Sequence, residues 1–393
     1  MKHKIFYERE ELFDVNMLIT MIVKVKGGPS DDELKRAFDG AVKVNGILNS
    51  KIVIEPDGSA YYVDNDAPRS SLNITQDNLI EVKKREEKIR FRLEDGEFIR
   101  AFARRGDDVT SIMFLMHHMG GDGKSLLYFI EDFMSVLAGQ TREYKEIRTA
   151  ETVDSLDPIS KALLKHYNKG WNGHVFTFED MDKAYESYWK DRTTDLQIEV
   201  IEKDEMTKIL DECRAAGVKY TSYLTVMFIR DEKDTQDIGY ATDYRHDGNR
   251  SMGNQASGVS VKHKYDHGKS LMDNALKIQK KLAVKLDNDA KASYILNFSS
   301  RVDPTLYDAV CLEHAGTFHD KTSYKLAKLL GFMEKTKDYS ITNLTVADIP
   351  VEYGRFKIDE LLFAGPVVSY GKNIVSVVTC NGKTVITRHS RKG

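Results

Sequence analysis

The stretch from residue 111 to 139, SIMFLMHHMGGDGKSLLYFIEDFMSVLAG, constrains the fold more than any other part of this sequence. The five apolar residues at 112–116 are too few for a helix and show no polar alternation, so they predict a strand buried on both faces. After the turn, apolar residues recur at helical spacing, at Leu126, Ile130, Phe133 and Leu137. A strand therefore delivers two histidines, His117 and His118, to a turn that opens a helix.

The two histidines are expected to have different roles, because adjacent residues on a strand point to opposite faces. One can face an open cavity while the other faces packed protein. A neutral imidazole can remove a proton from a hydroxyl or amine that attacks a carbonyl carbon. Asp122 is a candidate orienter of the base, or one half of a buried ion pair that fixes the turn. The glycines at 120, 121 and 123 let the backbone bend sharply and approach a ligand.

This stretch has three other interpretations. GDGKS is similar to the end of the phosphate-binding motif GxxxxGKS, but position 118 holds histidine where that motif needs its first glycine. A metal could use His118 and Asp122, yet the sequence has no HExxH or paired-cysteine spacing. Both histidines could also be hydrogen-bonded core residues. Their position after a buried strand and before Asp-Gly favours a catalytic role.

The segment HHMGGDGKS, residues 117–125, fits the motif HHxxxDG and its longer form HHxxxDGxS. It resembles the chloramphenicol-acetyltransferase-like superfamily, which includes nonribosomal-peptide condensation domains, plant-type alcohol acyltransferases and polyketide-associated acyltransferases. In that superfamily the second histidine is the general base, and the aspartate forms a structural salt bridge with an arginine. The resemblance gives these roles to His118 and Asp122. It makes His117 and Gly123 structural residues of the active site.

Two segments of the second half also resemble this superfamily. A strand that ends in Arg245, followed by Gly253 and Asn254, suggests that Arg245 is the partner of Asp122, although Arg245 could simply end a surface strand. SITNLTVADIP, residues 340–350, resembles the segment placed opposite the histidine, which makes Asn343 a candidate oxyanion donor. An ordinary strand-end asparagine is the alternative. The sequence departs from the pattern at Thr345, where glycine is common, and it lacks the DFGWG of the plant enzymes.

The first half offers clear local patterns. Residues 16–26 predict a strand, and Ser30 with Glu33 form a capping box that opens an amphipathic helix. Residues 51–63 predict two strands joined by a hairpin turn at Asp57-Gly58. The mixed charges of residues 75–92 predict a short solvated element.

At 393 residues the chain is too long for one ordinary core, so we expect two domains of similar size. We predict an N-terminal lobe at 1–150 that carries HHxxxDG, a partly helical crossover linker at 151–195 and a C-terminal lobe at 196–393. The predicted fold class is α/β, with two chloramphenicol-acetyltransferase-like lobes, mixed sheets and a channel between them.

Composition excludes several partners. A net charge of -3 gives no reason to expect nucleic acid or an anionic membrane. The three cysteines, Cys213, Cys311 and Cys380, are far apart and odd in number, which indicates a reducing compartment. The start, MKHKIFYEREEL, has charges where a signal peptide needs an apolar core, and no stretch is long enough to span a membrane. We therefore expect a cytoplasmic protein.

The resemblance implies an acyltransferase of natural-product or lipid-like biosynthesis that moves an acyl group from a thioester to a hydroxyl or amine. It implies no tightly bound cofactor and no metal, and a thioester of coenzyme A or phosphopantetheine as co-substrate. The expected partners are a small-molecule acceptor and an acyl carrier protein. A stand-alone peptide condensation enzyme and a catalytically inactive adaptor that binds a carrier protein are the alternatives. No GxSxG elbow occurs, which agrees with direct transfer without an acyl-enzyme.

Overall fold

The computed structural model describes residues 2–151, 156–245, 248–334 and 336–392. The strands in these ranges are β1 (Lys2–Lys4), β2 (Leu18–Lys26), β3 (Ser50–Ile54), β4 (Ala60–Asp64), β5 (Ser71–Ile74), β6 (Ile99–Arg105), β7 (Thr110–His117), β8 (Thr193–Ile201), β9 (Gln236–Asp243), β10 (Ala256–His263), β11 (Tyr339–Val346), β12 (Glu352–Tyr353), β13 (Phe356–Ala364), β14 (Asn373–Cys380) and β15 (Lys383–Lys392).

The α-helices in the same ranges are α1 (Asp31–Val44), α2 (Leu79–Glu86), α3 (Gly123–Leu137), α4 (Pro158–Gly170), α5 (Phe178–Trp189), α6 (Lys203–Ala215), α7 (Tyr220–Ile229), α8 (Leu271–Lys285), α9 (Asp289–Ala292), α10 (Tyr294–Ser299), α11 (Pro304–Ala315) and α12 (Lys321–Leu330). Short 3-10 helices cover Arg9–Glu11, Gly46–Asn49, Leu93–Asp95 and His118–Gly120.

The first lobe is built on a six-stranded sheet in the order β12-β13-β2-β7-β6-β5. Its central strand β7 is the predicted buried strand, and the residues at 112–116 are fully buried. The ring of Phe114 on β7 lies 5.5 Å from Phe129 and 5.2 Å from Phe133, both on α3. The strand-turn-helix unit predicted around the two histidines is therefore confirmed, and it lies in the centre of the lobe.

The second lobe is built on another six-stranded sheet, in the order β10-β9-β11-β14-β15-β8. Strand β11 runs parallel to both of its neighbours, β9 and β14, while the outer pairs are antiparallel. The first sheet also mixes directions, because β5 and β6 are parallel. The predicted α/β fold with two mixed sheets is confirmed. Strands β1, β4 and β3 form a third, small sheet.

The second half of the chain contributes two strands to the first sheet. Strand β13 pairs antiparallel with β2, from Lys357 opposite Lys26 to Ala364 opposite Thr20, and β12 extends the same edge. The chain therefore returns to the first lobe after building part of the second. The domain boundaries at 1–150, 151–195 and 196–393 stay a prediction.

Several local predictions are confirmed. Ser30 and Glu33 form both hydrogen bonds of the capping box, and β3 and β4 form the hairpin around Asp57-Gly58. Helix α4 lies in the predicted crossover. The solvated element predicted at 75–92 is wrong in part, because α2 buries Lys83 and the following Glu87 is 4% exposed. Among the described residues, no helix is both long and apolar enough to cross a membrane.

Candidate active site

The turn that carries His118 is held by backbone hydrogen bonds. Strand β7 ends at His117, whose N–H donates to the carbonyl of Phe98 at 2.9 Å. The N–H of His118 donates to the carbonyl of Met17 at 2.8 Å, just before β2 begins. Gly121 closes the turn with a φ of +138°, a conformation that favours glycine. Both histidine backbones are therefore fixed by the central strands of the first sheet.

The side chain of His117 belongs to the packed interior. It is 1% exposed, and its Nδ1 accepts a hydrogen bond from the backbone N–H of Met119 at 3.1 Å. Burial lowers the pKa of His117 to about 3, with the charges of His118, Arg90 and Arg100 acting in the same direction. His117 is therefore neutral at physiological pH and shapes the turn.

The side chain of His118 lies against a carboxylate that comes from the N-terminal 3-10 helix. Its Nδ1 is 2.8 Å from Oε1 of Glu11, although the N–H direction is off the line of a good hydrogen bond. Burial lowers the pKa of His118, but the charge of Glu11 and its contact outweigh burial, so the pKa is raised above its ordinary value near 6.5. Burial raises the pKa of Glu11 to about 7.

The other ring nitrogen of His118 is available to a ligand. The side chain is 15% exposed, and no atom of the described residues forms a hydrogen bond with Nε2. Because Glu11 lies at Nδ1, the proton of a neutral ring is favoured on that nitrogen. Nε2 then carries the free lone pair, which is the form that a general base requires.

Asp122 and Arg245 form a two-pronged ion pair. Both terminal nitrogens of the guanidinium lie 2.9 Å from the carboxylate, one on each oxygen. Asp122 also accepts from the backbone N–H groups of Ser125 and Gln255, each at 2.9 Å. Burial raises the pKa of Asp122, but Arg245 and the backbone donors outweigh it and lower the pKa overall. The pair connects the first residues of α3 to the second lobe.

The segment around Gly253 completes this contact between the lobes. Asn254 donates a short hydrogen bond to Oε1 of Glu11, the oxygen that faces His118. Gly253 has a φ of +134°, and a Cβ on it would lie 2.0 Å from the carbonyl oxygen of Arg148. The second lobe therefore reaches the histidine through Glu11. Only glycine fits at 253, because the obstructing atom is backbone.

Gly123 is the first residue of α3, and its lack of a side chain allows another close approach. A Cβ there would lie 2.7 Å from the ring of Phe363 on β13 and 3.4 Å from Leu344 on β11. The helix start is therefore packed directly against strands that come from the second half of the chain.

Asn343 lies on β11, next to Leu344, and its amide is partly engaged. Its Nδ2 donates to the hydroxyl of Thr221 at 3.1 Å, and its Oδ1 accepts from the N–H of Thr345 at 2.8 Å. Thr345 has a φ of +58°, a conformation that usually favours glycine. The described contacts connect His118 to Asp122 and Arg245 through Glu11 and residues 254–255. His117 and Gly123 adjoin this network along the chain, and the contacts of Asn343 lie within the second lobe.

The sequence alone did not indicate the carboxyl groups near His118. The segment EREEL contains Glu8, Glu10 and Glu11, and its charges indicate only that a signal peptide is not expected there. In the structure Glu8 is fully buried and Glu11 is 3% exposed. One feature of the sequence did indicate their burial. The apolar stretch LFDVNMLI follows immediately, and charged residues next to a buried strand lie near the core.

Two surface clefts lie elsewhere. One, of about 450 Å³, lies between residues 51–56 and 175–178, and the other, of about 710 Å³, is lined mainly by α12. His118 lines neither cleft. Among the described residues, no group of three or more histidine, cysteine, aspartate or glutamate side chains is arranged to hold a metal.

The two lobes and their mixed sheets form the chloramphenicol-acetyltransferase-like fold, which condensation domains share. The chain is similar to trichothecene 15-O-acetyltransferase from Fusarium sporotrichioides, with 11% identity and a TM-score of 0.66 over 100% of this chain and 92% of that one. It is also similar to the first condensation domain of the CDA synthetase, with 11% identity and a TM-score of 0.64 over 99% and 90% of the two chains.

Polyketide synthase associated protein 5 from Mycobacterium tuberculosis has the same fold, with 13% identity and a TM-score of 0.60 over 98% of this chain and 94% of that one. No protein-family model matches the sequence, and no curated protein matches it. At these identities the comparisons establish the fold, and the function must be argued from the site.

Proposed function

We propose that this protein is an acyltransferase that moves an acyl group from a thioester to a hydroxyl or amine, with His118 as general base. One observation carries the proposal. The Nδ1 of His118 lies 2.8 Å from Oε1 of Glu11, while no described residue forms a hydrogen bond with Nε2. This arrangement holds an imidazole in one orientation with a lone pair available for a substrate proton.

The proposed reaction is a direct transfer. As the acceptor oxygen or nitrogen attacks the thioester carbonyl carbon, Nε2 of His118 takes its proton and the new bond to carbon forms. The tetrahedral intermediate collapses, the carbon–sulfur bond breaks, and the proton passes from His118 to the departing thiolate. Glu11 stabilises the imidazolium that exists between these two proton transfers. Asp122 and Arg245 fix the turn and take no proton.

Asn343 is the proposed donor to the oxyanion. An asparagine amide has two N–H donors, and the described contacts use one of them, with Thr221. The adjacent residue, Leu344, packs close to Gly123 at the start of α3. These contacts support the proposal that the end of β11 lies beside the reacting centre, where a donor aimed at developing charge lowers the barrier.

The proposed donor is an acyl thioester of coenzyme A or of phosphopantetheine on a carrier protein, and the acceptor is a small molecule. The similarity to a synthetase condensation domain and to an acetyltransferase supports a role in natural-product biosynthesis. It equally supports the second candidate, a stand-alone condensation enzyme that uses a carrier-bound acyl group. Both candidates require the same base.

The test is thioester consumption in the presence of acceptors, measured for the parent and for His118→Ala. We expect the variant to lose about a hundredfold to ten-thousandfold in rate, which is the usual contribution of a general base. The matched control is His166→Ala, because His166 is exposed on α4. Near-UV circular dichroism shows whether both variants keep the fold. Equal rates for His118→Ala and the parent would eliminate the proposed mechanism and leave a binding adaptor.

A further inference from the structure

The N-terminal segment that contacts His118 carries an unusual density of carboxyl groups. Residues 8–14 carry four of them, on Glu8, Glu10, Glu11 and Asp14. Glu11 touches the imidazole, and the charge of Glu10 is close enough to act on it. Carboxylates that lie close together stabilise a positive charge placed between them.

The nearby arginines do not neutralise this segment, because their charges are used elsewhere. Nε of Arg9 donates to Oδ1 of Asp308 at 2.8 Å, and a terminal nitrogen donates to Oδ2 at 2.5 Å. Arg245 binds Asp122 through both terminal nitrogens. Asp14 is satisfied by the hydroxyl and backbone N–H of Ser369. Among the described residues, His118 is therefore the cationic group that contacts Glu11, and its charge acts on Glu10 as well.

Two of these glutamates are buried with unused oxygens. Glu8 is fully buried, and neither of its carboxyl oxygens has a hydrogen-bond partner among the described residues. The same holds for Oε2 of Glu11. Burial raises the pKa of Glu8 to about 8 and that of Glu11 to about 7, so both carboxyl groups gain from a cation that stabilises their ionised form. A donor with a positive charge satisfies such oxygens best.

Glu10 offers the accessible position in this segment. Its Oε2 accepts from the hydroxyls of Tyr307, at 2.6 Å, and Ser299, at 3.1 Å. Its Oε1 has no partner among the described residues and is not sealed from solvent. Two hydroxyls thus hold the carboxylate in one orientation and leave the other oxygen for a ligand.

Resting on the function proposed above, we infer that the acceptor is an amine that enters as an ammonium ion and is received by Oε1 of Glu10, on the segment whose Glu11 contacts His118. A neutral hydroxyl gains little from carboxylates, whereas an ammonium can donate to up to three oxygens. When the ammonium is bound, its positive charge interacts with the carboxylates in place of a protonated His118. The ammonium therefore favours neutral His118, the form that a base needs.

The proton balance of this reaction is complete. The ammonium first loses one proton, through the carboxylates to solvent, and becomes a nucleophilic amine. Its nitrogen attacks the thioester carbonyl, and His118 removes a second proton as the carbon–nitrogen bond forms. The carbon–sulfur bond then breaks and the thiolate takes that proton. The products are an amide, a thiol and one released proton.

The catalytic test compares a primary alkylamine with the alcohol of equal chain length, both with one acyl-coenzyme A, in the parent and in Glu10→Gln. Products are identified by mass spectrometry, and each rate is corrected for the uncatalysed reaction. We expect the parent to favour the amine, and the ratio of kcat/KM for amine over alcohol to fall about tenfold in Glu10→Gln. Preference of the parent for the alcohol, or an unchanged ratio in the variant, overturns the inference.

The matched control is Glu232→Gln. Glu232 also accepts a hydrogen bond from a tyrosine hydroxyl, that of Tyr339 at 2.8 Å, and it is partly buried in the second lobe. We expect the ratio in this variant to equal that of the parent. A fall of similar size in Glu232→Gln means that the effect of Glu10→Gln is nonspecific, and this outcome also counts against the inference.

Direct binding separates this inference from the proposed function. Calorimetric titration of the parent with the alkylammonium alone, without thioester, is expected to show binding that weakens about tenfold in Glu10→Gln. If no acceptor is acylated but the ammonium binds in this way, the proposed catalysis fails and the cation site stands. If acyl transfer occurs but the parent does not bind the ammonium, the inference fails and the proposed function stands.

Discussion

The guanidinium of Arg245 meets the carboxylate of Asp122 side by side, and each of the two hydrogen bonds measures 2.9 Å. Both side chains are 5% exposed. The residues are 123 positions apart in the sequence, so the pair fastens the start of α3 to the loop after β9. The turn after β7, which contains His118, is therefore also held by the second lobe.

Replacing Asp122 by alanine is expected to destabilise the fold by about 3–5 kcal/mol, because the buried guanidinium of Arg245 loses its counter-charge. The midpoint of urea denaturation measures this loss. Asp211→Ala is the control, since Asp211 pairs with Arg214 on the surface and is 60% exposed. Such exposed pairs contribute about 0–1 kcal/mol. Equal midpoints for the two variants would contradict a structural role for Asp122.

Replacing Glu11 by glutamine is expected to move the pH profile of catalysis. The proposed mechanism needs neutral His118, so kcat/KM is expected to rise with pH through the pKa of this residue. Burial lowers that pKa, but the charge of Glu11 outweighs burial and leaves the pKa above its ordinary value near 6.5. Glu11→Gln removes the charge and keeps the shape, so the acidic limb should shift to lower pH. A limb at the parent position would show that Glu11 does not tune the base, and Glu232→Gln serves as the control.

Replacing Gly253 by alanine is expected to cost about 3 kcal/mol or more, since overpacking adds to the penalty of a positive φ. The new Cβ would lie 2.0 Å from the carbonyl oxygen of Arg148. Gly217→Ala separates the cost of overpacking from the cost of a positive φ, because Gly217 has a φ of +65° and nothing within 4 Å of the added carbon. This control should lose about 1–2 kcal/mol. Similar urea midpoints for Gly253→Ala and Gly217→Ala would mean that the loop around residue 253 moves to accommodate the added Cβ.

Replacing Lys83 by methionine is expected to cost about 3–5 kcal/mol, because it leaves the buried carboxylate of Glu87 without its ion-pair partner. The ammonium also lies 2.6 Å from Nε2 of His389, and burial lowers the pKa of that histidine well below its ordinary value. His389 is therefore a neutral acceptor. The double variant Lys83→Met with Glu87→Met should be more stable than Lys83→Met alone, as urea denaturation can show. A double variant that is less stable would contradict the ion-pair explanation.

Local sequence patterns predicted the parts of the molecule whose structure is decided within a few residues. The apolar residues before His117 form β7, the residues with helical spacing after Asp122 form α3, and Ser30 with Glu33 caps α1. Each depends on hydrogen bonds or packing between near neighbours in the chain. The resemblance of HHMGGDGKS to the superfamily motif predicted the α/β fold with two mixed sheets that the structure has.

The unpredicted features depend on contacts between distant residues. Glu11 was not singled out as a functional residue, because its burial depends on the turn after β7 and on Asn254, which is 243 positions away. The same reason applies to Lys83, which looked solvated beside other charges but is covered by β8 and β15. A charged side chain carries no local sign that a distant strand will cover it.

The insertion of β13 beside β2 has a consequence for how the protein is made. During synthesis the first sheet cannot be completed until the ribosome has passed Ala364, so β2 presents an unpaired apolar edge throughout most of translation. A fragment truncated before Glu352 would keep that edge permanently and is expected to aggregate. Attempts to express the first lobe alone should therefore fail, unless the missing strand is supplied as a peptide.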